Sequence, residues 1–128
     1  MKKAEAGRRG EEFCAKHYEA HGYKILERNY HSRYGEIDVI AESADVLAFV
    51  EVKTRVEAPL VSGAEGVDEN KRRRCMLTAL DYLSKHEVQK QLRFDVFEVV
   101  HNGERLTKFR MTEDAYQFDE DELKKVFY

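Results

Sequence analysis

The sequence predicts an α/β layer fold, a mixed sheet flanked by helices. Two observations support this. Apolar residues recur at helical spacing in two separated stretches. Between and after them lie runs that alternate with period two, in the order helix, three strands, helix, two strands. The chain has 128 residues and a mass of 15.0 kDa, enough for one domain with its own core.

Residues 4–21 form the first helix. Phe13, Cys14, His17, Tyr18 and His21 share a stripe, with Ala6 and Gly10 one to two turns earlier and Gly22 as the stop. Tyr23–Tyr30 reads as a strand through Tyr23, Ile25 and Leu26. Glu36–Ala41 alternates, with Ile37, Val39 and Ala41 on one face and Glu36, Asp38 and Ile40 on the other. Leu47–Arg55 alternates too. Leu47, Phe49, Glu51, Lys53 and Arg55 take one face, and Ala48, Val50, Val52 and Thr54 the other. Glu42-Ser43-Ala44-Asp45 supplies the turn between them.

Residues 56–66 hold the only proline, Pro59, with Gly63 and Gly66, and read as a mobile loop. A second helix spans roughly Val67 to His86. Its inner stripe is Lys71, Cys75, Thr78, Ala79 and Tyr82, and Lys71-Arg72-Arg73-Arg74 crowds its first turns. Arg93–Val100 is a strand, Asn102-Gly103 a hairpin turn, and Leu106–Met111 the returning strand. A short helix is expected near Glu120–Phe127.

Charge is unevenly spread. The net charge is −3, but residues 113–128 carry six acids and two lysines, leaving 20 basic and 19 acidic groups in the rest. A globally basic nucleic-acid binder is excluded, while a local basic face is not. The longest uncharged apolar run, Val46–Val50, is far short of a membrane span of about 20 residues. No basic-then-apolar leader opens the sequence. Cys14 and Cys75 lie 61 positions apart in no metal or redox spacing, and read as buried reduced thiols of a cytoplasmic protein.

The chemistry concentrates on the second hairpin. A turn centred on Ala44-Asp45 sets Asp38 opposite Glu51, and opposed residues point to the same side of the sheet. Lys53, two residues further, joins them, with Glu36 at the edge. Facing carboxylates repel unless something compensates. Hard oxygen ligands at this spacing suit Mg²⁺, and the lysine suits an attacking water or charge developing on a phosphate. Glu11, at the edge of the first helix's stripe, is the fourth candidate, with Gly7 and Gly10 leaving room for close approach to the sheet. Alternating acids and lysines are otherwise a solvated sheet face. What sets this face apart is that Leu47 and Phe49 carry it into a core further along.

Other polar residues read less sharply. His17 and His21, four apart on a helix, lack a third ligand and read as core or boundary histidines. Arg8, Arg9, Arg55 and the run Lys71–Arg74 suit a phosphate-contacting rim; as solvated helix residues Arg72 and Arg73 fit equally well, whereas Lys71 and Arg74 are retained as candidates. Glu36 suits an outer acid or an edge charge alike. Arg93 and Asp95 are expected to pair structurally.

Taken in order, Gly7-Arg8-Arg9-Gly10-Glu11, Gly22-Tyr23-Lys24-Ile25-Leu26 with Arg28-Asn29, Gly35-Glu36-Ile37-Asp38 and Phe49-Val50-Glu51-Val52-Lys53-Thr54-Arg55 resemble the YraN-like bacterial family. Lys71 with Ala79 and Tyr82-Leu83, and Arg93-Phe94-Asp95-Val96, extend the resemblance over about residues 7–116. The fold of that family is similar to Holliday-junction resolvases and PD-(D/E)XK nucleases. The resemblance implies a restriction-endonuclease-like αβββαβ three-layer core over residues 1–116, with 117–128 as an acidic extension. It implies a Mg²⁺- or Mn²⁺-dependent endonuclease acting on DNA, branched DNA included, with Asp38, Glu51 and Lys53 catalytic. Glu11, Asp38, Glu51 and the Val52 carbonyl would hold the metal. Arg8, Arg9, Arg55, Lys71 and Arg74 would contact nucleic acid, and analogy with resolvases adds a homodimer. The alternative is an inactive nuclease fold that binds nucleic acid or a protein partner. Two positions depart from the pattern: no proline precedes Asp38, and Asp114-Ala115-Tyr116 replaces Asn-Ala-Phe.

Overall fold

The computed structural model describes residues 1–57 and 68–127. The chain runs α1 (Lys3–Ala20), β1 (Lys24–Ser32), β2 (Gly35–Glu42), β3 (Val46–Val56), α2 (Glu69–Lys85), β4 (Gln91–His101), β5 (Leu106–Tyr116) and α3 (Glu120–Phe127). The five strands lie side by side in chain order. All neighbours are antiparallel except β3 and β4, which run parallel across eleven residue pairs with α2 in the crossover.

Two cores sandwich the sheet. On one face Cys75, Met76, Ala79 and Tyr82 of α2 pack on Leu47, Phe49, Phe94 and Val96. On the other, Cys14 and Tyr18 of α1 pack on Val39, Ala48, Val50, Phe97 and Val99. This is a three-layer α/β arrangement compatible with a restriction-endonuclease-like fold. Both cysteines are buried and unpaired in disulfides. Among the described residues no helix is long and apolar enough to cross a membrane.

The structure refines several expectations. Ile37 does not share a face with Val39 and Ala41. It packs in the α2 core beside Ile40, while Val39 and Ala41 face α1. The strict alternation of β2 therefore breaks between Ile37 and Val39, next to Asp38. Strand β5 continues to Tyr116 rather than ending at Met111. It lies at the sheet edge and is exposed along most of its length, so its later half carries no apolar alternation. A register shift opposite Phe94–Val96 accommodates Asp114, whose φ is 53° and whose N–H donates to Asp95 Oδ1 at 2.9 Å. Helix α2 starts at Glu69, with Asp68 as its cap accepting from Lys71 N at 2.8 Å. Val67, expected to open this helix, and most of the expected loop lie outside the described residues. Of the two glycines expected to let α1 approach the sheet, only Gly10 does so. A Cβ there would collide with Thr54 Oγ1, whereas nothing lies within 4 Å of one on Gly7.

Residues beyond Tyr116 return to the body. Phe118 meets the Phe94 ring edge-on at 4.8 Å, and Leu123 packs against the α2-side core. A buried polar pin lies at the same end of β4, on the face toward α1. Asp95, fully buried, accepts from Arg93 Nε and Nη2, both at 2.8 Å, and from Tyr18 Oη at 2.6 Å. Arg93 and Asp95 are thus the structural pair the sequence suggests.

Candidate active site

The β2–β3 hairpin has the register expected from its turn. Val39 pairs with Val50, Ile40 with Phe49, Ala41 with Ala48 and Glu42 with Leu47. The ladder stops there, one step short of Asp38 and Glu51. Strand β2 stays paired with β1 as far as Ser32–Gly35, and β3 stays paired with β4 to its end. The sheet therefore splits into two halves at Asp38 and Glu51. In the split, Asp38 Oδ2 accepts from Val52 N at 2.8 Å, so a carboxylate replaces a main-chain acceptor.

Asp38 lies between two groups. On the α1 side, ligand oxygens of Glu11, Glu36 and Asp38 all fall within 4.8 Å of one another. Gly10 brings α1 against Thr54 of β3, and this close approach carries its neighbour Glu11 to the split. Burial raises the Glu11 pKa, and the Asp38 and Glu36 charges push it further against the pull of Arg28. Asn29, at φ 54°, reaches into the same group. Its amide nitrogen, oriented to satisfy both acids, lies 3.1 Å from Glu11 Oε1 and 2.7 Å from Glu36 Oε1.

On the α2 side stands Glu51, only 6% exposed. Its Oε1 lies 3.4 Å from Lys71 Nζ and 3.8 Å from Lys53 Nζ. Its Oε2 is buried and has no hydrogen-bond partner among the described residues. Burial and then the Asp38 charge push the Glu51 pKa up to about 7, even with both lysines opposing. For Lys71 burial, the largest single influence, acts downward; Glu51, Cys75 and Asp38 outweigh it and the net shift is upward.

The structure thus gathers Glu11, Glu36, Asp38, Glu51, Lys53, Lys71 and the Val52 backbone at one split in the sheet. Within it, Glu51 is turned toward the lysines, and Glu36 rather than Glu51 completes the tightest carboxylate group. The other candidate cations are spread out. Arg8 and Arg9 are exposed on α1, Arg9 being paired with Glu5 at 2.9 Å. Arg55 is half-buried further along β3, and Arg74 is exposed on α2. His17 and His21 stack at 4.3 Å, with His17 against Phe97 and Phe109, as boundary histidines.

Two residues escaped the sequence reading. Asn29 is one; an asparagine inside a strand is unusual, and the left-handed backbone that admits it is not visible in periodicity. The other is Glu98, 1% exposed on β4 and in register between Lys53 and Arg110. Its signal was a charge interrupting the apolar run Val96-Phe97-Glu98-Val99-Val100.

A three-layer α/β fold whose mixed sheet splits at two carboxylates with lysines beside them is an architecture compatible with a restriction-endonuclease-like fold. Comparison with known proteins narrows this. Residues 10–99 match the model of the uncharacterised protein family UPF0102, and the chain belongs to that family. A UPF0102 protein of Myxococcus xanthus is 41% identical over 104 residues, covering 80% of this chain and 82% of the relative. One of Dichelobacter nodosus is 48% identical over 90 residues, 70% of this chain and 71% of the relative. One of Sulfurihydrogenibium sp. is 40% identical over 103 residues, 80% and 90% respectively.

Proposed function

We propose that this protein is a divalent-metal-dependent endonuclease that hydrolyses DNA phosphodiesters at the split between β2 and β3. The observation that carries the reading is Glu51. It is a buried carboxylate facing two lysines, repelled by Asp38, with one oxygen left without a partner. Buried carboxylates held at such a cost cluster at functional sites.

The donor set fits Mg²⁺ or Mn²⁺, which favour hard oxygens and keep waters of their own. Glu11 and Asp38 would hold the ion, with Glu36 beside them and Glu51 and the Val52 carbonyl across the split. When bound, the ion would supply a water of lowered pKa and neutralise charge on the phosphate. The chain's own groups do the rest. Lys53 orients the attacking water and donates to the phosphate oxygens as charge accumulates. Lys71 holds the Glu51 carboxylate in place. Asn29 keeps Glu11 and Glu36 together against their repulsion. Arg8, Arg9, Arg55 and Arg74 contact backbone phosphates on either side, which gives affinity without sequence information.

The test is cleavage of four-way junction, linear duplex and single-stranded DNA with Mg²⁺ or Mn²⁺, comparing the wild type with Glu51→Ala. Cleavage by the wild type alone is expected. Equal DNA binding by both proteins with no cleavage by either would replace the nuclease reading with a non-cleaving binding module.

A further inference from the structure

The β1–β2 turn carries an aromatic ring between two cavities. Tyr34 lines a cavity of about 480 Å³ together with Glu36, Lys71 and Arg74. It also lines a second, of about 350 Å³, with Asn70, Arg73 and Leu77. Both volumes lie in the range of small-molecule sites, about 300–1,000 Å³. The first cavity adjoins the split in the sheet, because Glu36 belongs to the carboxylate group with Glu11 and Asp38.

The turn is held rigidly. Ser32 Oγ lies 2.8 Å from Thr78 Oγ1 of α2 and accepts from Tyr34 N at 3.1 Å. Gly35 packs so closely on α2 that a Cβ there would sit 3.3 Å from Arg74 Cβ. Arg33 Nη2 donates to Tyr34 Oη at 2.8 Å, and its guanidinium carbon lies 4.9 Å from the ring centroid. Arg33 lines the larger cavity and not the smaller, while Arg74 lines both, so cations border the ring on either side.

An aromatic ring held in a fixed turn, with Arg33 over it and Arg74 and Lys71 close by, is the composition of a single-strand nucleic-acid platform. Bases stack on the ring, and cations take the phosphates between them. A base inside a duplex cannot offer its face to such a ring. We infer that Tyr34, with Arg33, Lys71 and Arg74, forms a subsite for an unpaired nucleotide of a DNA strand whose phosphodiester lies at the carboxylate group. The smaller cavity receives the base: Leu77 gives an apolar wall, and Asp68 with the Arg73–Asn70 pair, joined by Arg73 Nη1 donating to Asn70 Oδ1 at 3.0 Å, makes up the polar side. The inference deepens the nuclease reading and rests on it for the direction in which the strand runs.

The experiment uses the full chain in EDTA, so that binding is read without cleavage. Probes are single-stranded DNA, duplex with a short unpaired tail and blunt duplex, each with 2-aminopurine replacing one base, in the tail where there is one. Quenching of the unpaired fluorophore is expected with wild type and with Tyr34→Phe. Tyr34→Ala is expected to lose quenching and to weaken single-strand binding about tenfold more than blunt-duplex binding, within the worth of one stacked base. Arg33→Ala, on an exposed side chain, is expected to shift the same ratio in the same direction. Equal losses on all probes, or undiminished quenching with Tyr34→Ala, would overturn the subsite. Metal-dependent duplex cleavage without a Tyr34 effect would leave the nuclease reading standing and remove this one. Ring-dependent quenching without cleavage on any substrate would do the reverse. Absence of binding to every probe would overturn both.

Discussion

Replacing Glu51 by glutamine gives the sharpest test of the site because its stability effect has a defined sign. Folding raises the Glu51 pKa from an ordinary 4.5 to about 7 through burial and the Asp38 charge. Between those values the folded state holds a proton that the unfolded chain has released. Stability from this group is therefore fully present below pH 4.5 and is lost as pH rises toward 7. The full difference corresponds to about 3 kcal/mol at roughly 1.4 kcal/mol per pKa unit. Against a typical total of about 5–15 kcal/mol this is a large fraction. Glutamine does not titrate and lacks the charge. Urea unfolding of wild type and Glu51→Gln at pH 4 to 8, without divalent ions, is expected to show the stability gap moving toward the variant by about 3 kcal/mol. At a urea m-value of about 1–3 kcal/mol per M, that is a midpoint shift of about 1–3 M. Millimolar Mg²⁺ at pH 8 is expected to restore more stability to the wild type than to the variant. Parallel pH profiles, with a constant gap, would refute the reasoning that burial and Asp38 disfavour the charged form of Glu51.

Other perturbations have equally definite outcomes. Lys53→Ala is expected to lower DNA cleavage at least about a hundredfold, the scale of removing one charge-stabilising donor, with little change in DNA affinity measured in EDTA. Gly10→Ala should cost about 1–3 kcal/mol by overpacking against Thr54, and adding Thr54→Ala should recover part of it in the same unfolding assay. Asp95→Asn strips the charge that faces buried Arg93 and Tyr18, and about 3–5 kcal/mol should be lost in denaturant titration at neutral pH. Deleting residues 117–128 removes Phe118 and Leu123 from the α2-side core. A lower thermal midpoint is expected, where a freely solvated tail would leave it unchanged.

Much of this protein was legible one residue at a time. Helices α1 and α2 follow from apolar periodicity, β2 and β3 from alternation, and β4 from a near-continuous apolar run that is buried on both faces. The Ala44-Asp45 turn determined the hairpin register as far as Val39 and Val50; the expected pairing of Asp38 with Glu51 is not made, because the ladder ends one step before them. Period and register are local properties, set by backbone geometry within a few residues. The end of β5 was not legible, since an exposed edge strand has no apolar pattern to betray it. Nor was the break in alternation at Asp38, which shows only in the packing of Ile37 on the α2 side and Val39 on the α1 side.

The site itself divides the same way. Sequence placed Glu51 and Lys53 together, because strand neighbours two apart share a side, and brought Asp38 near them through the hairpin turn. It did not show that the sheet splits there, that Asp38 caps Val52, or that Lys71 approaches Glu51 from the neighbouring helix. Glu36 and Asn29 joined Glu11 only through the packing of α1 on β3, fixed by the contact of Gly10 with Thr54. Likewise Tyr34 became a ring between two cavities only when α2 docked on the β1–β2 turn. The amino-acid order determined which groups each strand and helix presents. Tertiary structure decided which of them meet, because burial, charge repulsion and close packing act between elements far apart in the chain.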